Sequence, residues 1–156
     1  MNQYTGQRVL ALDVGEKRIG VAMTDADGRF ASPLTTIATR SGAVAQALQR
    51  IVALVQEHGV DRVVVGLPLT MSGDIGPQAR LVQTFATELE QTLNNVTGGS
   101  VPVLLFDERL TSVVAEQMLR DMGVKPARRK ARIDEVAASI ILQDYLDHCR
   151  NNRQNP

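Results

Sequence analysis

Three acidic positions stand where apolar runs give way to polar sequence. Asp13 lies near the end of the run Val9 to Val14, Glu108 follows the run Val101 to Phe106 with Asp107 beside it, and Asp134 opens a late amphipathic segment. In open α/β sheets, ligands bind outside the carboxyl ends of the strands. Asp13 and Glu108 are therefore expected to converge, with Asp134 pointing back to the same rim. Three carboxylates in one pocket repel one another unless cations neutralise them. Their hard oxygens suit Mg2+ or Mn2+, and two such ions about 3.5–4 Å apart stabilise the attacking and leaving oxygens of a phosphodiester. Asp13, Glu108 and Asp134 are thus the predicted metal ligands and catalytic groups of a phosphodiester-cleaving centre. The ordinary alternative for each is a helix cap or a turn former. Successive strand residues face opposite ways, so Glu108 is the predicted pocket member and Asp107 a turn or supporting residue.

Cations lie next to these acids in the sequence. Lys17 and Arg18 follow Asp13 in a predicted hairpin turn, and Arg109 follows Glu108 directly. Lys125, Arg128, Arg129, Lys130 and Arg132 crowd the segment just before Asp134. Such a run is ordinarily a solvated loop, but beside an acidic metal site it reads as a clamp for a phosphate backbone. All eight cations are candidate substrate contacts, with a binding strength that falls as salt rises; Lys17 reads equally as a solvated hairpin tip, and Arg109 equally as a residue that orients Glu108.

The elements that must position these groups follow from hydrophobic patterning. Val9 to Val14 and Ile19 to Thr24 read as a strand hairpin, and Phe30 to Ile37 as a third strand that Pro33 places near an edge. Ser41 to His58 carries Val44, Leu48, Ile51, Val52 and Val55 at helical spacing, with Ser41 as the predicted cap and Gly59 past the end. The continuous runs Arg62 to Pro68 and Val101 to Phe106 read as strands buried on both faces. Pro77 opens a helix reaching about Leu93, and Thr111 or Ser112 caps another that ends at Gly123. Lys125 to Arg132 reads as a basic connector, and Ile133 onward as a last helix. The prediction is an α/β chain with a mixed five-stranded sheet, three antiparallel strands and then two parallel ones, flanked by helices.

Composition bounds the rest. A chain of 156 residues with 44% hydrophobic content supports one core, so residues 1–150 are expected to form one domain and the polar end 151–156 a disordered tail. Lys plus Arg balance Asp plus Glu at 17 each, so attraction to nucleic acid must come from a local patch. Aromatic content of 3% argues against single-strand binding by stacking. One cysteine, two histidines and no apolar stretch of membrane-spanning length point away from disulfides, zinc and membranes, and toward the cytoplasm.

Four blocks together carry a resemblance: Asp13-Val14-Gly15-Glu16-Lys17-Arg18-Ile19-Gly20-Val21-Ala22, Val65-Gly66-Leu67-Pro68, Asp107-Glu108-Arg109-Leu110-Thr111 and Asp134-Glu135-Val136-Ala137-Ala138. In this order they resemble the YqgF/RuvX family over nearly the whole chain. The resemblance implies a ribonuclease-H-like fold related to RuvC-type resolvases. It also implies nuclease activity, either in maturing the 5′ end of 16S rRNA precursors or on Holliday junctions. The family's acidic positions fall on Asp13, Glu108 and Asp134. Ser72 and Ser112 depart from the family pattern, and Ser72 puts in doubt whether its loop brings charge to the site.

Other functions remain to be weighed. Asp13-x-Gly15 followed by Gly20 is also similar to the phosphate loop of actin-like kinases, which close two lobes over ATP, and this chain is too short for a second lobe. A non-catalytic nucleic-acid-binding module is opposed by the presence of all three acids. Junction resolution would call for paired sites in a dimer, and the sequence leaves monomer or homodimer open.

Overall fold

The computed structural model describes residues 7–39, 43–108 and 117–154. Five strands form one sheet in the order β3-β2-β1-β4-β5, with β1 spanning Val9–Val14, β2 Arg18–Thr24, β3 Ala31–Ala38, β4 Arg62–Pro68 and β5 Val103–Glu108. β1 pairs antiparallel with β2 and β2 with β3, whereas β1–β4 and β4–β5 are parallel. This is the predicted mixed sheet. Pro33 lies on the edge strand at a register irregularity opposite Val21 and Ala22, where its missing N–H breaks no interior ladder.

Helix α1 (Val44–His58) buries Leu48, Ile51, Val52 and Val55, the predicted apolar stripe. Gly59 ends it in the left-handed conformation that a side chain resists. Helix α2 begins with Pro77 and runs to Thr97, one turn past the expected end. A short helical stretch over residues 117–121 follows β5, and Gly123 closes it with an N–H to the Arg120 carbonyl. Thr111, the rest of that predicted helix and Ser41 lie outside the described residues. Ala43 takes the N-cap position of α1.

Side-chain alternation divides the sheet into two faces. Leu10, Leu12 and Val14 of β1, Ile19 and Val21 of β2, and Val63 and Val65 of β4 pack with α1 and α2 in the larger core. Val9, Ala11, Ala22 and Val64 pack on the other face against Ala138, Leu142, Tyr145 and Leu146 of α3, which spans Pro126–Gln154. Asp13 shares the parity of Val9 and Ala11, and so belongs to the α3 face.

Three expectations need correction. The basic stretch is not a connector: α3 starts at Pro126, so Arg128 to Arg132 is helical and Asp134 lies in the third turn rather than at the opening. Proline is favoured at a first helical position, and Ala, Arg and Lys are strong helix formers, so a run that looks like a loop by charge continues the helix. The expected disordered tail is helical through Gln154. The last strand is not buried on both faces either: β5 is an edge, and its Leu104 and Leu105 are 37% and 44% exposed. It also ends two residues later than expected, so Glu108 is its last residue.

Candidate active site

The α3 face of the sheet, at the carboxyl end of β1, gathers a row of residues from four adjacent strands. Asp13 stands opposite Gly20 of β2 in the antiparallel register. Gly66 lies one residue past the last β1–β4 pair, Leu12–Val65, and is paired with Phe106 of β5. Phe106 packs edge-on against Tyr145 of α3, ring centroids 5.7 Å apart, which fixes the face it occupies. Glu108, two residues on, shares that face, while Val103 packs in the opposite core and Asp107 follows its parity. Strand alternation thus aims Glu108 toward α3 and Asp107 away from it.

Two glycines let α3 lie close enough to complete the row. A Cβ on Gly20 would overlap the Asp134 backbone carbonyl, and one on Gly66 would lie 2.7 Å from Ile141 Cδ1 and 3.1 Å from Glu108 Cγ. Asp134, Ala138 and Ile141, spaced by four and three residues, form one stripe of the helix. Sequence reasoning quoted both glycines within motifs but missed this role. The available signal was a glycine inside each of two strands, which marks close backbone approach.

Asp13 is half-buried between these groups. Its carboxyl is pushed up to about 7, first by burial and then by the negative charges of Glu108 and Asp134. The three acids therefore feel one another, as expected of groups that share a cation. Asp134 also accepts a hydrogen bond from Arg18 Nε at 2.7 Å. Among the described residues no three Asp, Glu, His or Cys side chains are gathered closely enough to hold one metal ion. The acids are neighbours around a point, with Asp134 engaged by Arg18. Hard oxygen donors that crowd a buried carboxyl, its proton held first by burial and then by two neighbouring negative charges, fit a divalent cation.

The predicted cations divide. Arg18, on the parity of Gly20 and Ala22, joins the acids, while Lys17 is exposed at the hairpin tip, where its carbonyl accepts the Thr39 N–H. Lys125, Arg128 and Arg132 line a cleft of about 330 Å³ with Gly123 and Val124, and Arg132 also pairs with Glu135 at 3.5 Å. Arg129 and Lys130 belong to the backbone of α3. Their side chains, like Arg109, lie outside the described residues.

The rim is completed by the loop after β4, whose Pro68 pairs with Glu108. Within it Ser72 Oγ donates to Asp74 Oδ2 at 2.9 Å, and the Asp74 N–H donates to Thr70 Oγ1 at 3.0 Å. Ser72 carries no charge, but it holds a carboxylate that does. Gln78 Nε2 donates to the Val14 carbonyl at 3.1 Å and ties the start of α2 to the end of β1. A cavity of about 370 Å³, lined by Val9, Arg62, Tyr145 and Arg150, opens at the other end of these strands and takes no part in the row.

Comparison with known proteins agrees with this architecture. A relative from Chloroflexus aurantiacus is 63% identical over 146 residues, covering 94% of this chain and 90% of its own. One from Bacillus subtilis is 42% identical over 140 residues, covering 90% and 97%. Both are named, provisionally, as pre-16S rRNA nucleases. Among solved structures, Thermus thermophilus RuvC in complex with Holliday junction substrate superposes with a TM-score of 0.56 at 15% identity, over 92% of this chain and 96% of that one. The fowlpox virus Holliday junction resolvase superposes with a TM-score of 0.51 at 14% identity, over 91% and 99%. The fold is ribonuclease-H-like. The family described as RuvX, Holliday junction resolvase, matches residues 7–148, and the chain belongs to that family.

Proposed function

We propose that this chain is a divalent-metal-dependent endonuclease that hydrolyses nucleic-acid phosphodiesters and matures the 5′ end of the 16S rRNA precursor in the cytoplasm. The observation that carries the reading is the meeting of Asp13, Glu108 and Asp134 on one face, close enough for the last two to raise the first. The provisional name shared by relatives up to 63% identical supplies the substrate class.

In this reading Asp13, Glu108 and Asp134 hold Mg2+ or Mn2+, which supplies Lewis acidity at the phosphoryl group and lowers the pKa of water. The half-buried setting of Asp13 limits solvent around the reacting atoms and strengthens every charge interaction there. Lys125, Arg128 and Arg132 bind the phosphate backbone along the cleft at the start of α3, with Arg129 and Lys130 on the same helical turns. Lys17 reaches the strand from the hairpin tip, and Arg109, next in sequence to Glu108, is assigned to the substrate as well.

Cleavage of an RNA spanning the precursor 5′ end, a single-stranded DNA and a four-way junction, each with Mg2+ or Mn2+, tests this. RNA is expected to be cut fastest, and Asp13→Asn and Glu108→Gln to abolish cutting while binding persists. Faster cutting of the junction would make the chain a resolvase in practice. Turnover by both variants at the wild-type rate would remove the acids from the chemistry.

A further inference from the structure

Among the described residues, an ion pair at the acidic row joins positions 116 apart. Arg18 Nε donates to Asp134 Oδ2 at 2.7 Å, with side chains 43% and 22% exposed. It depends on both flanking features of the site. Strand parity puts Arg18 on the α3 face with Gly20, and the missing side chain of Gly20 brings the Asp134 backbone down to the strand. The pair is therefore built in by backbone placement and is not a chance meeting of long surface side chains.

We propose that Arg18 is the resident counterion of the acidic centre, occupying Asp134 until a divalent cation displaces it, and that the released guanidinium then binds a phosphate of the substrate. The inference rests on the metal-dependent reading above. Three carboxylates side by side need positive charge, and among the described residues it is Arg18 whose guanidinium is bonded to one of them. One carboxylate oxygen of Asp134 is thereby already occupied by a donor. A divalent ion at Asp134 would also sit within a few ångströms of a fixed positive charge, a repulsion that is strong in a half-buried site. Displacement removes it, and a planar guanidinium set free beside the metal is well shaped for bidentate contact with phosphate.

The competing role makes the opposite prediction. If Arg18 orients Asp134 for the ion, as partners of metal ligands commonly do, then removing it weakens metal binding. Calorimetric titration of Mn2+ into the full chain separates the two. Arg18→Gln is expected to bind Mn2+ about fivefold more tightly than wild type, and Arg18→Lys to fall between them. In an Asp134→Asn background the Arg18→Gln gain should vanish, because the competition acts through Asp134. At saturating Mn2+, Arg18→Gln should raise KM for the nucleic acid more than it lowers kcat.

Affinity that is unchanged or weaker in Arg18→Gln overturns the proposal while leaving the metal site standing. A gain that persists with Asp134→Asn overturns it as well, reducing Arg18 to a distant charge. Absence of Mn2+ binding in wild type and Arg18→Gln alike would defeat both this proposal and the reading it rests on. Circular dichroism of each variant in EDTA, with Arg18→Lys retaining charge and length, guards against loss of fold.

Discussion

No methyl group fits between Gly20 and the backbone carbonyl of Asp134. The contact joins β2 to α3 at the place where Asp13 pairs across the strand, so one absent side chain sets the distance between two of the three acids.

Gly20→Ala is therefore expected to be severe. The obstructing atom is backbone, which cannot rotate away, so the whole helix must shift. The cost should reach at least about 3 kcal/mol, the upper end for overpacking. Gly66→Ala meets mainly the end of the Ile141 side chain and the Glu108 Cγ, which can give, and should cost about 1–2 kcal/mol. Urea unfolding of the two variants checks the order. Equal costs would show that α3 is held less closely to β2 than the structure places it.

Stability of the metal-free protein should fall as pH rises. The Asp13 carboxyl is pushed up to about 7 from the ordinary carboxylate range, so the folded state binds the proton more tightly. Its contribution is full below the unfolded value, and is lost as pH climbs through the folded value. The loss is on the order of 4 kcal/mol if the shift is wholly expressed. In EDTA, Asp13→Asn should flatten this slope and melt higher than wild type at pH 8. A wild-type melting temperature independent of pH between 4 and 8 would contradict the burial of Asp13 beside two carboxylates.

Adding Mn2+ or Mg2+ at pH 8 should reverse that loss. A ligand at about a hundred times its dissociation constant stabilises by roughly 2.7 kcal/mol. The rise in melting temperature should be large in wild type and small in Glu108→Gln. Asp107→Asn, whose strand parity faces the other core, should keep the full rise. A loss in Asp107→Asn equal to that in Glu108→Gln would reverse the assignment by strand face.

Lys125→Ala and Arg128→Ala should weaken binding to different RNA sequences by similar factors, since phosphate contacts carry no sequence information. Each should reduce the slope of log affinity against log salt by about 0.7–0.9. Filter binding across a salt series measures it. A variant that lost affinity with an unchanged slope would place its side chain away from the phosphates.

Much of this protein could be read along the chain, because local patterning acts over a few residues. The alternating and continuous apolar runs specify the five strands, and the stripe Leu48, Ile51, Val52 and Val55 specifies α1. The positions of two acids were legible for the same reason: Asp13 and Glu108 lie near the carboxyl ends of strands that the apolar runs mark. Charge density misled at Arg128 to Arg132, where the propensity of Ala, Arg and Lys together with Pro126 makes helix. Burial of β5 was misjudged because an edge strand and a central one share a composition, and only the pairing order separates them.

Tertiary structure alone decided what touches what. The sequence places Asp134 on the rim of Asp13 but holds no sign that its backbone lies against Gly20 or that its carboxylate bonds Arg18, 116 positions away. That return is made by α3 crossing the sheet, and the contact is permitted by a missing Cβ. The elevated pKa of Asp13 and the guanidinium on Asp134 both depend on distances across the sheet. Such distances depend on packing between elements, which local sequence leaves open.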